Sequence, residues 1–216
     1  MKETESQEQL QVQVVLASSS PRRRDLLEQA GVEFLIQTAQ VDESLEPDDL
    51  RFPEEACKKL AERKARAVVE ALLLDPATQG AFAVIGADTM VVCDNEIFGK
   101  PHSCDHAFQM LSKLQGRTHS VVTAVSVWLF SLVGEEDVSL GFRTFADVSH
   151  VTFKELEDAD LYDYIATGES FDKAGAYAAQ GKGACLIERI SGNVSTVIGL
   201  PVERLLKEFP FLRPNV

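Results

Sequence analysis

The fold of this chain is decided around the stretch Leu16-Ala17-Ser18-Ser19-Ser20-Pro21-Arg22-Arg23-Arg24-Asp25-Leu26-Leu27. An apolar run over residues 12–17 leads into it and stops at three serines. The pattern therefore predicts a strand, a tight loop and a helix over residues 21–30. Ser20 stands at the N-cap position of that helix and Pro21 at its first helical position.

The same stretch carries a candidate anion site. The first turn of a helix offers free N–H groups and a partial positive charge, and hydroxyls and guanidiniums are added at that spot here. The combination favours an anion with many oxygens, such as a polyphosphate. The alternative interpretation is an ordinary capped helix with solvated arginines. Both interpretations stay open on this segment alone.

The composition is that of a globular, acidic chain. It has 216 residues, of which 45 % are apolar, and a formal net charge of −13. Such a surface repels nucleic acid, so we expect no nucleic-acid partner, whereas a small phosphate ligand needs only a local concentration of basic residues. The four cysteines form no Cys-x-x-Cys pair, which argues against a disulfide framework and a cysteine zinc site.

The N-terminal residues 1–11 are polar and lack both an apolar signal core and an arginine-rich transit pattern. We expect them to form a flexible tail. No apolar run reaches the length of a membrane helix, so we expect a soluble, cytoplasmic protein without membrane contact.

Predicted strands and helices alternate along the chain, which is typical of α/β architecture. The strands are predicted over residues 12–17, 33–38, 82–87, 90–93, 96–98, 121–132, 138–153 and 184–190. The helices are predicted over residues 21–30, 53–74, 103–114 and 155–167 and from residue 201. We expect residues 12–216 to form a single domain with two lobes that share one elongated sheet.

Two short motifs place charged side chains beside glycines. Gly86-Ala87-Asp88-Thr89 ends a buried strand, where α/β proteins usually place ligands, so Asp88 is a candidate functional carboxylate. The alternative is a turn aspartate that caps the following hairpin. Gly99-Lys100-Pro101 holds Lys100 between a glycine that allows close approach and a proline that fixes the exit.

A third candidate is the loop over residues 171–181, where small residues surround one Asp, one Lys, one Tyr and one Gln. Gln180 is suited to reading a base edge because its amide both donates and accepts hydrogen bonds. Glu43 in an acidic loop and Lys64 on a predicted helix are by themselves typical of solvated surfaces. The chain has neither a nucleotide P-loop nor the Gly-x-Ser-x-Gly elbow of serine hydrolases.

Taken together, these segments resemble the Maf (septum-formation) family of nucleoside triphosphate pyrophosphatases. The matching signatures occur in the family's order over nearly the whole chain, and the series is far more specific than any one of them. They are Ser18-x-Ser20-Pro21-Arg22-Arg23, Val41-Asp42-Glu43, Lys64-Ala65, Gly86-Ala87-Asp88-Thr89, Gly99-Lys100-Pro101, Gly116-x-x-His119-x-Val121-x-Thr123, Asp172-Lys173-Ala174-Gly175-Ala176-Tyr177 with Gln180-Gly181, and Val197-Ile198-Gly199-Leu200-Pro201.

The resemblance implies an elongated mixed β-sheet with flanking helices and two lobes around a cleft, similar to the inosine triphosphate pyrophosphatases. It also implies cleavage of a nucleoside triphosphate to the monophosphate and pyrophosphate with a divalent cation, Mg²⁺ or Mn²⁺. Arg22-Arg23, Asp88-Thr89 and Gln180 resemble the subgroup that cleaves dTTP and UTP. The 7-methyl-GTP-cleaving subgroup typically carries a tryptophan in the first loop and a glutamate in place of the glutamine. Homodimers are common in the family, so a homodimer is a further expectation by analogy.

On this resemblance, we expect water to attack the α-phosphorus and pyrophosphate to leave. The expected catalytic residues are Asp88, Lys100 and Glu43, and Glu43 and Asp88 are the expected metal ligands. Asp88 would bind the metal, accept the proton from water, or do both. The expected substrate contacts are Ser18, Ser20, Arg22, Arg23, Lys64, Thr89, Lys173 and Gln180, of which Thr89 and Gln180 would contact the base.

Two alternatives stay open on the sequence. One is a nucleotide-binding regulator of cell division with little turnover, which would use the same pocket. The other, within the enzymes, is a pyrophosphatase for modified pyrimidine nucleotides.

Overall fold

The computed structural model of the chain describes residues 12–133 and 137–214, so the predicted tail 1–11 lies outside the described residues. The strands are β1 (Val12–Leu16), β2 (Leu35–Ile36), β3 (Gly80–Cys93), β4 (Glu96–Phe98), β5 (Thr118–Val133), β6 (Asp137–Phe153) and β7 (Ile187–Ser191). Within the described residues they form one seven-stranded sheet in the order β2-β1-β3-β5-β6-β7, with β4 paired to β3. β1 runs parallel to β2 and β3, and the remaining pairs are antiparallel.

Helices cover both faces of this sheet. They are α1 (Pro21–Gln29), α2 (Pro53–Leu74), α3 (Cys104–Leu114), α4 (Asp158–Ala166), α5 (Val194–Ile198) and α6 (Val202–Glu208). Short 3₁₀ turns lie at Asp49–Arg51, Ala174–Ala176, Gly181–Leu186 and Pro210–Leu212. The expected mixed sheet with flanking helices is therefore confirmed. In the part of the chain that the structure describes, no helix combines the length and apolarity needed to cross a membrane.

The largest departure from the predicted elements is β3. The sequence predicts two strands, 82–87 and 90–93, with Asp88 at the end of the first. The structure has one continuous strand because β5 pairs with it throughout, and Asp88 lies opposite Ala124 and Thr89 opposite Thr123. The expectation that Asp88 sits at a strand end is therefore wrong, since the polar pair lies within a paired strand.

The structure also differs from the sequence prediction at three smaller elements. The strand predicted over residues 33–38 shrinks to β2, whose two residues are exposed and pair only with the end of β1. The strand predicted over residues 184–190 begins only at Ile187, because a 3₁₀ turn takes up its first residues. Between the strand predicted over residues 184–190 and the helix predicted from residue 201, the structure has a further helix, α5, which Asn193 caps by accepting from the Ser195 N–H.

The close packing of α2 on β3 places one wall of the site. Ala61 and Ala65 on α2 are fully buried, and a Cβ added at Gly86 would lie 2.5 Å from the Ala61 carbonyl oxygen. Only glycine therefore lets the helix approach the strand this closely at that point. The contact brings Lys64, one residue before Ala65, against Asp88 on the same face of the sheet.

Candidate functional site

A gap in strand pairing along one edge of β3 creates the main cleft. β1 pairs with this edge as far as Ile85, and β4 takes it up again at Val91, so neither strand pairs with the residues between them. Asp88, Thr89 and Met90 from this unpaired stretch line the cleft. The cavity has a volume of about 840 Å³. All of the sequence-predicted site residues line it, namely Ser18, Ser20, Arg22, Arg23, Glu43, Lys64, Asp88, Thr89, Lys100, Lys173 and Gln180.

A lysine lies between two carboxylates on one wall. The Lys64 Nζ is 2.6 Å from Asp88 Oδ1 and 2.9 Å from Glu43 Oε1. Asp88 is buried, whereas the Glu43 side chain is about half exposed. Burial alone would raise the pKa of Glu43, but the hydrogen bond and charge of Lys64, with the charge of Lys100, hold that pKa below its usual value. Both carboxylates are thus close enough to share one cation.

Two residues outside the predicted set support these carboxylates. Arg63 NH1 donates to the carbonyl oxygens of Asp42 and Ser44, which flank Glu43, at 3.0 and 2.7 Å. The buried Cys57 Sγ lies 3.3 Å from the Asp88 carbonyl oxygen, and burial together with the Asp88 charge raises the pKa of its thiol. Cys57 precedes Lys64 by two helical turns, so the two residues share one face of α2, but this spacing alone does not indicate that the thiol reaches the Asp88 carbonyl.

The opposite face of β3 holds an arginine with neutral partners. Arg23 donates through Nε to the Gly199 carbonyl oxygen at 2.9 Å, through NH1 to Ser18 Oγ at 3.2 Å and through NH2 to Thr89 Oγ1 at 3.1 Å. Burial lowers the pKa of this guanidinium, and the more distant charge of Asp88 partly offsets that effect. Among the described residues, no carboxylate forms an ion pair with Arg23.

The Thr89 hydroxyl belongs to a chain of hydrogen bonds with a fixed direction. Thr123 Oγ1 is 2.7 Å from the Thr196 carbonyl oxygen and must donate to it, because a carbonyl cannot donate. Thr89 Oγ1, 3.0 Å from Thr123 Oγ1, therefore donates to Thr123 and accepts from Arg23. This series of hydrogen bonds fixes the hydroxyl of Thr89 and helps to hold the Arg23 guanidinium at the cleft.

The N-terminus of α1 opens onto the same cleft. Ser20 is the N-cap residue as predicted, but its side chain makes no capping hydrogen bond, and its own N–H donates to Ser18 Oγ at 3.2 Å. The N–H groups of the first turn are therefore not satisfied by a capping side chain. This arrangement favours the anion-site interpretation over an ordinary capped helix.

The loop after α4 brings further charges to the rim. Arg22 NH1 lies 3.2 Å from Asp172 Oδ2, and Asp172 also pairs with Lys173. The Lys173 Nζ donates to the Glu169 carbonyl oxygen at 2.8 Å. Gln180 is exposed and lies immediately before the 3₁₀ turn Gly181–Leu186. The predicted charges and the glutamine thus come together from distant parts of the chain.

A buried histidine and tyrosine support the inner wall. His119 Nε2 is 2.8 Å from the Tyr177 hydroxyl, so the two side chains share a buried hydrogen bond. Burial lowers the pKa of His119 to about 4, so its imidazole is neutral at pH 7. Tyr177 lines the cleft, whereas His119 lies behind it.

The donor set for a metal is small. Within residues 12–133 and 137–214, no cluster of three or more His, Cys, Asp or Glu side chains is arranged to hold a metal ion. Glu43 and Asp88 offer two carboxylates to one ammonium, and such hard oxygen donors suit Mg²⁺ or Mn²⁺ when substrate phosphates and water complete the shell. These two carboxylates therefore match the oxygen-donor preference of a hard divalent cation.

The fold and cleft define a mixed α/β protein in which arginine and lysine side chains converge on a cleft at a gap in strand pairing. The family profile described as "Maf-like protein" matches residues 13–210, and the chain belongs to the Maf family.

Relatives named dTTP/UTP pyrophosphatase align over most of the chain. The dTTP/UTP pyrophosphatase of Alkalilimnicola ehrlichii is 44 % identical over 199 residues, covering 91 % of this chain and 92 % of its own length. The dTTP/UTP pyrophosphatase of Bacillus velezensis is 43 % identical over 199 residues, covering 91 % and 96 %.

Solved structures also match most of the chain, at low sequence identity. The Ham1 protein of Staphylococcus aureus matches with a TM-score of 0.44 and 14 % identity, covering 92 % of this chain and 97 % of that chain. The nucleoside-triphosphatase, dITP/XTP pyrophosphatase, of Mycobacterium abscessus matches with a TM-score of 0.41 and 14 % identity, covering 92 % and 94 %.

Proposed function

We propose that this protein is a nucleoside triphosphate pyrophosphatase that hydrolyses dTTP and UTP to the monophosphate and pyrophosphate. Its relatives named dTTP/UTP pyrophosphatase align over nine-tenths of the chain. These names do not favour the alternative of a nucleotide-binding regulator with little turnover. Modified pyrimidine nucleotides remain candidate substrates of the same reaction class.

The single observation that carries the proposal is the hydrogen bonding of Arg23. Its three bonds to Gly199, Ser18 and Thr89 leave one hydrogen on each terminal nitrogen, because a guanidinium has five N–H donors. A partly buried charge whose partners are all neutral is unfavourable unless an anion completes the site. Two hydrogens on neighbouring nitrogens suit the bidentate recognition of a phosphate.

Four further cationic side chains and the N-terminus of α1 extend this anion site. In the proposal, Arg22, Lys64, Lys100 and Lys173 neutralise the triphosphate and the leaving pyrophosphate, since developing charge is stabilised most by preorganised donors. Ser18, Ser20 and the first N–H groups of α1 bind phosphate oxygens. Asp172 pairs with Arg22 and Lys173 at the rim, where a phosphate would compete with it for both cationic side chains.

Glu43 and Asp88 are the proposed ligands of a divalent cation, Mg²⁺ or Mn²⁺. When bound, the cation lowers the pKa of a coordinated water from ~15.7 and neutralises phosphate charge. Lys64 holds one oxygen of each carboxylate, which leaves Glu43 Oε2 and Asp88 Oδ2 for other contacts. Arg63 holds the carbonyl groups on both sides of Glu43 and thereby fixes this carboxylate at the cleft.

Asp88 is also the proposed acceptor of the proton from the attacking water. A carboxylate is a much weaker base than hydroxide, so it accepts this proton readily only when the attacking water has been made more acidic. Lys64 donates to Oδ1, and the Cys57 thiol lies 3.9 Å from Oδ2, so both contacts hold the carboxylate in one orientation. Oδ2, the oxygen that Lys64 does not contact, is therefore the one available to the cation, to the proton or to both in turn.

Gln180 and Thr89 are the proposed base contacts. Gln180 lines the cleft, and its amide NH₂ group is able to donate to O4 of uracil or thymine. Because the Thr89 hydrogen is donated to Thr123, Thr89 offers only an acceptor to a base, which suits N3–H of these pyrimidines. Cytosine carries an acceptor at N3 and is disfavoured there.

Product analysis in isotopic water tests the proposal. The protein is incubated with UTP in ¹⁸O-labelled water with Mg²⁺, Mn²⁺ or a chelator. The products are then separated, and their masses are measured by mass spectrometry. We expect cation-dependent formation of labelled UMP and unlabelled pyrophosphate, because water attacks the α-phosphorus. Formation of UDP and phosphate, or label in the pyrophosphate, would contradict the proposed reaction.

A further inference from the structure

Glu169 lies just after α4 and contacts both ends of the loop segment that runs from Lys173 to Gly183 along the cleft. Its Oε1 accepts from the Lys182 N–H and its Oε2 from the Gly183 N–H, both at 3.1 Å. Its backbone carbonyl accepts from the Lys173 Nζ at 2.8 Å. The segment between these contacts carries Lys173 at one end and Gln180 at the other. One residue therefore links the two proposed substrate contacts of the loop.

The glycine next to Gln180 is required for this contact. Gly181 has φ = +71°, a conformation that disfavours other residues, and a Cβ added there would lie 2.7 Å from Glu169 Oε1. A side chain at residue 181 would therefore push the carboxylate away from the two N–H groups. The backbone conformation and the carboxylate depend on each other.

We propose that Glu169 is a positioning residue that sets the base preference of the proposed pyrophosphatase by fixing the backbone that follows Gln180. This inference rests on the proposed function. Two adjacent N–H groups bound to one carboxylate hold residues 182 and 183 in a single arrangement, because hydrogen bonds to a charged acceptor are stronger than those to a neutral one. The Gln180 amide then approaches the base from a fixed direction.

Glu169 contacts Lys173 through its backbone carbonyl and residues 182 and 183 through its side chain, so a side-chain substitution changes only the second contact. Glu169→Gln keeps the backbone carbonyl that binds Lys173, so contacts with the triphosphate persist. The new amide has only one oxygen and therefore accepts only one of the two backbone N–H groups. Its NH₂ group faces the other N–H, and because both groups are donors, that hydrogen bond is lost. The variant therefore loosens the backbone beside Gln180 without removing a charge from a phosphate contact.

The first readout is base preference, expressed as the ratio of kcat/KM for UTP to that for CTP. We expect Glu169→Gln to lower this ratio at least fivefold while kcat/KM for CTP stays within twofold. The control is Glu157→Gln, because Glu157 also accepts a backbone N–H, in the capping box of α4, and does not line the cleft. The control should lose stability and keep the wild-type ratio.

The second readout does not depend on activity. Hydrogen–deuterium exchange at the Lys182 and Gly183 amides of the substrate-free protein should become at least tenfold faster in Glu169→Gln and stay unchanged in Glu157→Gln. Unchanged exchange, an unchanged UTP:CTP ratio, or an equal change of ratio in the control would each overturn the inference. A wild-type protein that does not hydrolyse UTP would instead refute the proposed function, and the exchange rates would still decide whether Glu169 fixes the loop.

Discussion

Replacement of Arg23 by lysine keeps the positive charge and removes the fork of donors. Arg23 donates from three different nitrogens to Gly199, Ser18 and Thr89. A lysine has three donors on a single atom and cannot span three acceptors that surround a planar guanidinium. The substitution therefore tests geometry rather than net charge.

The expected loss follows from the hydrogen bonds that remain for substrate. The guanidinium has two hydrogens left for a phosphate, and a lysine that replaces it offers one bond to that anion. The loss of one hydrogen bond to a charged group amounts to about 1.5–3 kcal/mol. This corresponds to a decrease of about 10- to 100-fold in kcat/KM for UTP.

Steady-state pyrophosphate release from UTP measures this effect, with Arg24→Lys as the matched control. Arg24 lies on the same helix, is exposed and pairs with Asp25 and Glu28 rather than with the cleft. We expect the control to keep wild-type kcat/KM. Retention of more than a third of the activity by Arg23→Lys, or an equal loss in Arg24→Lys, would refute the assigned role.

Three further predictions concern the same site and its inner wall. Asp88→Asn should reduce turnover more than tenfold, or ~1.4 kcal/mol, with an unchanged circular dichroism spectrum, and a smaller loss would remove Asp88 from the reaction. Gln180→Ala should lower the UTP:CTP ratio of kcat/KM more than it lowers triphosphate affinity, and equal losses for all nucleotides would contradict the base contact. Because buried His119 takes up a proton only near pH 4 and the unfolded residue near 6.5, the free energy of unfolding should fall by up to about 3 kcal/mol as pH decreases through this range. Urea unfolding of His119→Gln should show a smaller fall, and an identical pH dependence would contradict the buried neutral imidazole.

Local sequence signals predicted the start of the cleft well. Ser20 and Pro21 mark the beginning of α1 because N-cap geometry and the missing proline N–H depend only on neighbouring residues. The apolar stripe of α2 gave its bounds for the same reason. The family signatures, rather than spacing, predicted that side chains from distant loops would line a single cleft.

Pairing between strands was beyond local sequence reasoning. Asp88 and Thr89 look like a strand end because they are polar, yet β5 pairs with both and extends β3 past them. The supporting roles of Arg63, Cys57 and Glu169 were missed for a related reason. Their partners are backbone groups, and the sequence does not indicate which carbonyl or N–H lies within reach until the chain has folded.

The most direct test of the account is pyrophosphate release from a panel of dTTP, UTP, CTP, dATP, GTP and 7-methyl-GTP at equal concentrations, with Mg²⁺, Mn²⁺ or a chelator. We predict cation-dependent release that is confined mainly to dTTP and UTP. Release mainly from 7-methyl-GTP would keep the reaction and contradict the base contacts assigned to Thr89 and Gln180. Binding of nucleotides without release from any of them would contradict the central claim that this protein is a pyrophosphatase.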